Sequence, residues 1–321
     1  MPNYFTRAFV AAAAILLSFS ARADYPDRSI KIIVPIGAGS TTDYVARVIA
    51  ETLRAAFKQP VVVENHAGAG GTLGTAVAAR APADGYTLLV ASSAHTVNPV
   101  LYSQLPYNTL NDFSGISVLV TLPNILVVSP ARNFRTTQEL VNFGRKQPGV
   151  LTFGSGGVGS GAHMNAELFR AMATFDAVHV PFKSTPEVIT SLIGGGVDFA
   201  FIPITTALPF LRNGKLVPLA LGSAGRTPLL PDLPTTEEAG VPGSAHNEWI
   251  GLYTRSGVPA YIIRRLNLEI VKGLKTPALA EQFATVGASP SPTSPEETDA
   301  YVKAGILAIS ATVKLARIPT N

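Results

Sequence analysis

Two glycine-rich segments hold the residues best suited to binding an anion. The first is Pro-Ile-Gly-Ala-Gly-Ser-Thr-Thr-Asp from Pro35 to Asp43, and the second runs from Gly154 to His163. Each lies between a predicted strand and a predicted helix. Glycines let backbone N–H groups approach a ligand, a helix N-terminus adds positive potential, and hydroxyls add donors. The pattern therefore predicts two anion-binding turns.

Each segment has an alternative interpretation as an ordinary strand-to-helix turn. In the first, Thr41 or Thr42 could be the N-cap, with Asp43 favoured by the helix dipole. The second has five glycines and two serines between Gly154 and Gly161, which fits an anion nest better than a packing turn. Two such loops, one in each half of the chain, would let a cleft hold one anion from both sides.

The N-terminus has the pattern of a secretory signal peptide. Arg7 precedes an apolar run over residues 8–19, and Ala21-Arg22-Ala23 precedes Asp24. The run of about 12 residues is shorter than the roughly 20 that cross a bilayer. We expect residues 1–23 to be removed and the mature chain to be soluble in the exported compartment.

Composition narrows the class of partner. Removing the leader takes away two arginines and lowers the formal charge from +4 to +2. The remaining basic residues are scattered, with Arg264-Arg265 the densest pair, so no nucleic-acid partner is expected. The chain has no cysteine, which excludes thiol catalysis, disulfides and lipid attachment at a cysteine.

Nucleotide and enzyme motifs are incomplete. Lys183-Ser184-Thr185 lacks the glycine-rich loop of a P-loop, and the near-fingerprint at 68–74 would be unusual in an exported protein. Gly-x-Ser-x-Gly and His-Glu-x-x-His are absent. Of the dispersed histidines, His163 could contact a ligand or simply pack. We predict no catalytic residue, no metal and no cofactor.

Alternation of short β-branched runs with helical segments predicts an α/β fold with a largely parallel sheet. One series spans the first 120 residues, and a second begins after Pro123-Asn124. Three helical segments after residue 260 have no strands of their own and must pack on the earlier sheet. We predict one lobe from residues 24–125 and 249–321, a second from 126–248, and two hinge strands between them.

The chain resembles the substrate-binding proteins of tripartite tricarboxylate transporters, the Bug family, over essentially the whole mature length. Matching blocks occur in order along the sequence. They are Pro35–Asp43, Glu64-Asn65, 68–71, 84–89, 98–102, 105–107, Pro123-Asn124, Gly154–His163, 179–183, 214–216, 230–235 and 238–240.

The resemblance implies a type II periplasmic binding-protein fold, with two α/β lobes, two hinge strands and a ligand cleft between the lobes. It also implies a ligand carboxylate held mainly by backbone amides and water. The positions that would bind this ligand are Pro35, Gly39, Ser40, Thr41, Thr42, Asp43, Ser92, Ser93, Ser155, Gly159, Ser160, His163, Ser184 and Pro203.

Three of these positions depart from the family pattern. Ser40 and Ser184 stand where glycine is usual, and Pro203 stands where aspartate is common. Proline offers neither a polar side chain nor a backbone N–H, which weakens the case for an amino-acid ligand. A plain carboxylate is preferred.

These features predict a monomeric periplasmic receptor that closes over a small organic acid, such as a di- or tricarboxylate or an aromatic carboxylate, and delivers it to a membrane permease. A ligand sensor for a signalling partner and a secreted enzyme on the same fold are the alternatives.

Overall fold

The computed structural model describes residues 25–320, so the predicted leader lies outside the described residues. Within this range the chain forms eleven strands. They are β1 (Ile30–Val34), β2 (Val61–Asn65), β3 (Thr87–Ser92), β4 (Phe113–Leu122), β5 (Asn124–Val128), β6 (Leu151–Ser155), β7 (Ala177–Pro181), β8 (Phe199–Pro203), β9 (Val217–Leu221), β10 (Glu248–Arg255) and β11 (Ser289–Pro290).

The same residues form ten α-helices. They are α1 (Thr41–Phe57), α2 (Thr72–Ala79), α3 (Ala94–Leu101), α4 (Thr137–Lys146), α5 (Gly161–Met172), α6 (Thr185–Ile193), α7 (Ile204–Arg212), α8 (Ala260–Leu274), α9 (Pro277–Ala284) and α10 (Pro295–Ala316). None of the helices in the described range is long and apolar enough to cross a membrane.

The strands form two mixed sheets. The first has the order β11-β4-β10-β3-β1-β2, and the second has the order β7-β6-β8-β5-β9. In the first sheet β1 pairs in parallel with β2 and β3, and in the second β6 pairs in parallel with β7 and β8. The carboxyl ends of β1 and β6 therefore open onto the two glycine-rich segments, as expected for ligand turns in α/β proteins.

The chain passes between the sheets at two neighbouring places. On the way out, β4 in the first sheet is separated from β5 in the second only by Pro123. On the way back, β10 rejoins the first sheet, and Glu248 lies opposite Leu122 in the antiparallel β4–β10 pair. Sheet membership thus places the crossings at Pro123 and just before Glu248, and the division into two lobes remains a proposal that this pattern supports.

Each sheet has its own apolar core. Helix α1 repeats apolar residues at helical spacing and buries Val45, Ile49 and Leu53 against the first sheet. Helix α8 packs on α1 in the same cluster through Leu266, so the late helices do return to the first sheet. The second sheet has a separate cluster that includes Phe169 of α5.

Helix α3 was not among the predicted elements. It contains Pro99 at its sixth position, where proline removes a backbone donor and makes the sequence read as a turn. Packing compensates, because Val97 and Leu101 are buried against Met164 of α5 and Ile309 of α10. Local sequence patterns therefore do not predict α3, although this helix holds the two sheets in contact.

Candidate functional site

The first glycine-rich segment is an exposed turn held by one buried carboxylate. Asp43 accepts hydrogen bonds from Gly39 N at 2.9 Å, from Asn65 Nδ2 at 3.0 Å and from Arg47 Nε at 3.1 Å. Burial pushes the pKa of Asp43 upward, but these donors outweigh it and hold the pKa below its ordinary value. The buried Asp43 carboxylate therefore holds the backbone of the turn in place through its hydrogen bond from Gly39 N.

The N-cap of α1 is Ser40, so the expectation of Thr41 or Thr42 was wrong. Ser40 Oγ accepts from Asp43 N at 3.2 Å, and the helix begins at Thr41. Ser40 stands where the family usually has glycine, and its side chain has a local role there because it caps α1. Thr41 and Thr42 occupy the first turn, where backbone N–H groups have no intrahelical acceptor.

Pro35, Ser92 and Ser93 lie at the ends of adjacent strands. Pro35 follows β1 and is covered by Gly71 and Gly74. Ser92 ends β3, and its Oγ accepts from Ala94 N at 3.4 Å. Ser93 is fully buried, and its hydroxyl neighbours the carboxyl group of Glu248.

The second glycine-rich segment is held by its own two serines. Ser160 is the N-cap of α5, accepting from His163 N at 3.2 Å and donating to Gly157 O at 2.8 Å. Ser155 Oγ donates to the same carbonyl at 3.1 Å and lies 2.7 Å from His179 Nε2. Both hydroxyls therefore organise the loop.

Two histidine rings lie beneath this loop. His163 Nδ1 accepts from Gly159 N at 3.3 Å, and its ring is 4.2 Å from that of His179. On the other side, His163 Nε2 is 3.6 Å from Glu167 Oε1. Burial, with a smaller contribution from His163, lowers the pKa of His179 to about 4. His163 thus supports the loop from below, as the packing alternative predicted.

Ser155 and His179 are as close as a catalytic serine and its general base, but the serine is not accessible and the histidine is not sufficiently basic. Ser155 is only 1% exposed, so a substrate carbonyl has no access to its Oγ. The lowered pKa makes the His179 imidazole a weak base near neutral pH. This pair is suited to holding the loop.

Ser184 and Pro203 lie near the second loop and the outward crossing, respectively. A Cβ on Gly156 would sit 3.5 Å from Thr185 Oγ1 and 3.8 Å from the carbonyl carbon of Ser184, which places this turn beside the loop. Ser184 Oγ bonds to Glu187 at 3.1 Å. Pro203 pairs with Asn124 at the start of β5.

The second loop meets α3, the helix that follows β3 of the first sheet. A Cβ on Gly159 would sit 3.3 Å from Leu101 Cδ1 and 3.5 Å from Val97 Cγ1. Two residues further on, a Cβ on Gly161 would overlap the carboxyl group of Glu248. The second loop is thus in contact with α3.

Glu248 is a site residue that the sequence did not reveal. Burial raises its pKa to about 7, against the opposing effect of the neighbouring Ser93 hydroxyl. Among the described residues it forms no ion pair. A single glutamate before a predicted strand belongs to no sequence motif. Only the contacts of Glu248 with Ser93 and Gly161 in the structure identify it as a site residue.

Free backbone donors remain at both loops. Residues 25–320 provide no hydrogen-bond acceptor for the N–H groups of Thr41 and Thr42, nor for those of Gly161 and Ala162. Each pair lies in the first turn of a helix, where the dipole favours an anion. Over the described part of the chain, no cluster of three or more His, Cys, Asp or Glu could hold a metal ion.

Asn165 of α5 ties the loop-bearing helix to both crossings. Its Nδ2 donates to Gly222 O and to His246 O, each at 3.0 Å, and its Oδ1 accepts from Asn124 Nδ2 at 2.8 Å. Asn165 is fully buried. A buried amide with this many partners fixes the position of α5 relative to the hinge segments.

Known proteins share this architecture. The chain is 35% identical to Protein BugT of Bordetella pertussis over 296 residues, covering 92% of this chain and 90% of the relative. A solved structure of Rpa4515 from R. palustris with adipate matches with a TM-score of 0.84 and 31% identity, covering 93% of this chain and all of that one. MatC from Rhodopseudomonas palustris with bound malate matches with a TM-score of 0.79 and 30% identity, over 90% and 100% of the two chains.

These similarities confirm the predicted two-sheet fold of periplasmic binding proteins. The family model described as the tripartite tricarboxylate transporter family receptor matches residues 45–312, which includes every strand except β1 and the second glycine-rich loop as well. This chain belongs to the tripartite tricarboxylate transporter receptor family.

Proposed function

We propose that the protein is a periplasmic receptor that closes its two lobes over a small organic carboxylate and delivers it to a membrane permease. The observation that carries the proposal is the pair of helix first turns, at Thr41-Thr42 and at Gly161-Ala162, whose N–H groups lack acceptors within residues 25–320. A carboxylate supplies those acceptors.

The relatives support a dicarboxylate as the first ligand class to test. Rpa4515 and MatC were solved with adipate and with malate, and both match this chain over at least 90% of its length. Pro203 stands where many relatives are expected to have aspartate, so a ligand ammonium would lack that partner. A dicarboxylate without an amino group fits this site better than an amino acid.

The second loop is proposed to bind through its backbone. The first turn of α5 would provide N–H groups at Gly161 and Ala162, while Ser155, Ser160 and His163 hold the loop before it in place. In the first lobe Asp43 would have the same positioning role for the turn at Gly39. Glu248 would lie at the cleft between them, with Ser93 behind it.

The partner, location and absence of catalysis are parts of the same proposal. Membership of a transporter receptor family supports delivery to a permease, and the predicted leader supports a periplasmic location. A monomer needs no second subunit to complete the cleft. The buried Ser155 and the weakly basic His179 support binding without bond-making chemistry.

The test is isothermal titration calorimetry and thermal shift with adipate and malate, followed by other di- and tricarboxylates, aromatic acids and acidic amino acids. A ligand that binds the folded state raises the melting temperature by an amount set by its concentration relative to Kd. Binding of one carboxylate class, weakened roughly tenfold or more in Ser160→Ala, supports the proposal.

Thr136→Ala is the matched control. Thr136 is also a helix N-cap, accepting from Glu139 N at 3.2 Å, but it is exposed and precedes α4, outside both glycine-rich segments. Both substitutions should cost about 1 kcal/mol of stability, and only Ser160→Ala should change affinity. Equal affinities in the two variants, or no binding of any acid by the parent protein, would refute the proposed site.

A further inference from the structure

Glu248 places an acid next to the groups that would bind an acidic ligand. Its carboxyl group lies against Gly161, the first residue of α5. The N–H groups of Gly161 and Ala162 are donors that the proposed function assigns to the ligand carboxylate. An anion bound there would come close to the Glu248 carboxyl, and the two groups would repel each other if both were ionised.

The side chains around the Glu248 carboxyl supply no positive charge. The Ser93 hydroxyl approaches it from the β3–α3 turn, and the apolar Leu122 lies opposite it on β4. On α10 the titratable group is the hydroxyl of Tyr301, whose pKa is raised by burial and by the charge of Glu248. On α5 the ring nitrogens of His163 face other partners within their own helix and loop. Within residues 25–320 Glu248 therefore has no cation to balance its negative charge.

The Glu248 carboxyl can exchange a proton with solvent. Glu248 is partly exposed, and its oxygens are not among the sealed, unpartnered atoms of residues 25–320. Burial raises the pKa of Glu248 to about 7, so near neutral pH about half of the protein molecules hold a proton there. His246, two residues earlier, is uncharged near pH 7 because burial lowers its pKa to about 4. A ligand anion beside Glu248 would raise the Glu248 pKa further.

Given the proposed function, on which this inference rests, we propose that Glu248 binds the ligand carboxylate as a neutral acid and takes up one proton from solvent with each ligand. The protonated carboxyl donates its O–H to the ligand carboxylate, and the N–H groups of Gly161 and Ala162 donate to the same anion. An ionised Glu248 paired with a ligand ammonium is the rival arrangement. The first turn of α5 favours an anion beside Glu248, which argues against that rival.

Isothermal titration calorimetry in buffers of different ionisation enthalpy counts the protons taken up per ligand. The probes are adipate and malate, which are ionised above about pH 6.5. We expect an uptake of about 0.9 proton per ligand near pH 8 and about 0.2 near pH 6.5, because Glu248 already holds its proton at the lower pH. Affinity should fall roughly tenfold or more between about pH 6.5 and about pH 8.5.

Glu248→Gln keeps the shape of the side chain and a hydrogen-bond donor, but it cannot take up a proton. This variant should bind the probes within about threefold of the parent affinity near pH 6.5, with neither proton uptake nor pH dependence. Asp299→Asn is the matched control. Burial also raises the pKa of Asp299, but its carboxylate accepts from Gly115 N, and this variant should keep the proton uptake of the parent.

The outcomes separate this role of Glu248 from the proposed function. Binding of adipate or malate near pH 8 without proton uptake, or uptake that persists in Glu248→Gln, would overturn the role of Glu248 and leave the receptor function standing. Malate and aspartate differ by a hydroxyl in place of an ammonium group. Tighter binding of aspartate than of malate, lost in Glu248→Gln, would overturn the neutral acid in favour of an ammonium partner. No binding of any acid would overturn the proposed function, and the role of Glu248 with it.

Discussion

The carboxyl group of Glu248 lies directly against Gly161, so that no side chain fits at position 161 without displacing it. Gly161 begins α5 at the second glycine-rich loop, and Glu248 begins the strand that returns to the first sheet. The contact therefore joins the loop-bearing helix to a hinge strand. It also places an unpaired acid, with a pKa raised to about 7, beside the proposed ligand site.

Replacing Glu248 with glutamine should stabilise the protein above neutral pH. The folded-state pKa of about 7 exceeds the ordinary 4.5, so the folded state holds the proton more tightly. The parent protein should consequently lose stability as pH rises from about 4.5 to about 7, by roughly 1–3 kcal/mol.

Urea unfolding of the parent and Glu248→Gln from about pH 5 to about pH 8 checks this expectation. The two proteins share all other titrating groups, so the difference between their free energies of unfolding reports the titration of Glu248 alone. A difference that does not grow with pH would contradict the buried, unpaired carboxyl.

Acid should destabilise the protein through its buried histidines. Burial lowers the pKa of His95, His179 and His246 from 6.5 to about 4, with His163 adding to the effect at His179. The stability from these neutral rings is fully present above pH 6.5 and is lost as pH falls towards 4, by up to about 3 kcal/mol for each ring.

His246→Gln tests this at one ring. Its Nε2 is buried and unpartnered in the described chain, so glutamine removes a titrating group from that position. The variant should lose less stability than the parent between about pH 6.5 and about pH 4.5, measured by urea unfolding. His66→Gln, at a partly exposed ring, is the control, and equal pH slopes in both variants would contradict the prediction.

Alanine at Gly159 should disturb the contact between the lobes. Gly159 has a φ of +80°, and an added Cβ would press on Leu101 at 3.3 Å. Gly149 has a similar φ of +74° but no neighbour within 4 Å. Alanine at either position should lower the free energy of unfolding by about 1 kcal/mol, because alanine disfavours a positive φ. Gly159→Ala should lower it by about 1 kcal/mol more, because the added methyl group overpacks against Leu101.

Chemical denaturation measures the two stabilities, and calorimetry measures ligand affinity. We expect a lower affinity only in Gly159→Ala, because Gly149 lies in an exposed turn before β6. Matching stabilities and affinities in the two variants would mean that Gly159 does not contact α3 in solution.

Removing the Asn165 side chain should weaken the hinge region. Asn165→Ala leaves His246 O and the Asn124 amide without their partner and removes one of the two donors to Gly222 O, at a cost of about 2–4 kcal/mol. Asn213→Ala, at an exposed asparagine, should cost less than about 0.5 kcal/mol. Urea unfolding compares them, and a loss below 1 kcal/mol in Asn165→Ala would refute a hinge-fixing role.

Local patterns in the sequence determined the fold class and the two loops. The β-branched run of β1 and the apolar stripe of α1 predict their own secondary structure, because each period matches one kind of backbone. The glycine-rich turns after β1 and β6 are equally local, since a positive φ favours glycine, as at Gly39 and Gly159.

Tertiary structure alone decided what the polar residues do. Ser155 and His179 are 24 positions apart and meet at 2.7 Å because β6 and β7 are parallel neighbours. Glu248 reaches Gly161 because the chain crosses between the sheets just before β10. Burial raises the pKa of Glu248 and leaves both ring nitrogens of His95 without a hydrogen-bond partner in the described residues. This burial results from the packing of segments that are distant in sequence, so no local spacing of residues could predict it.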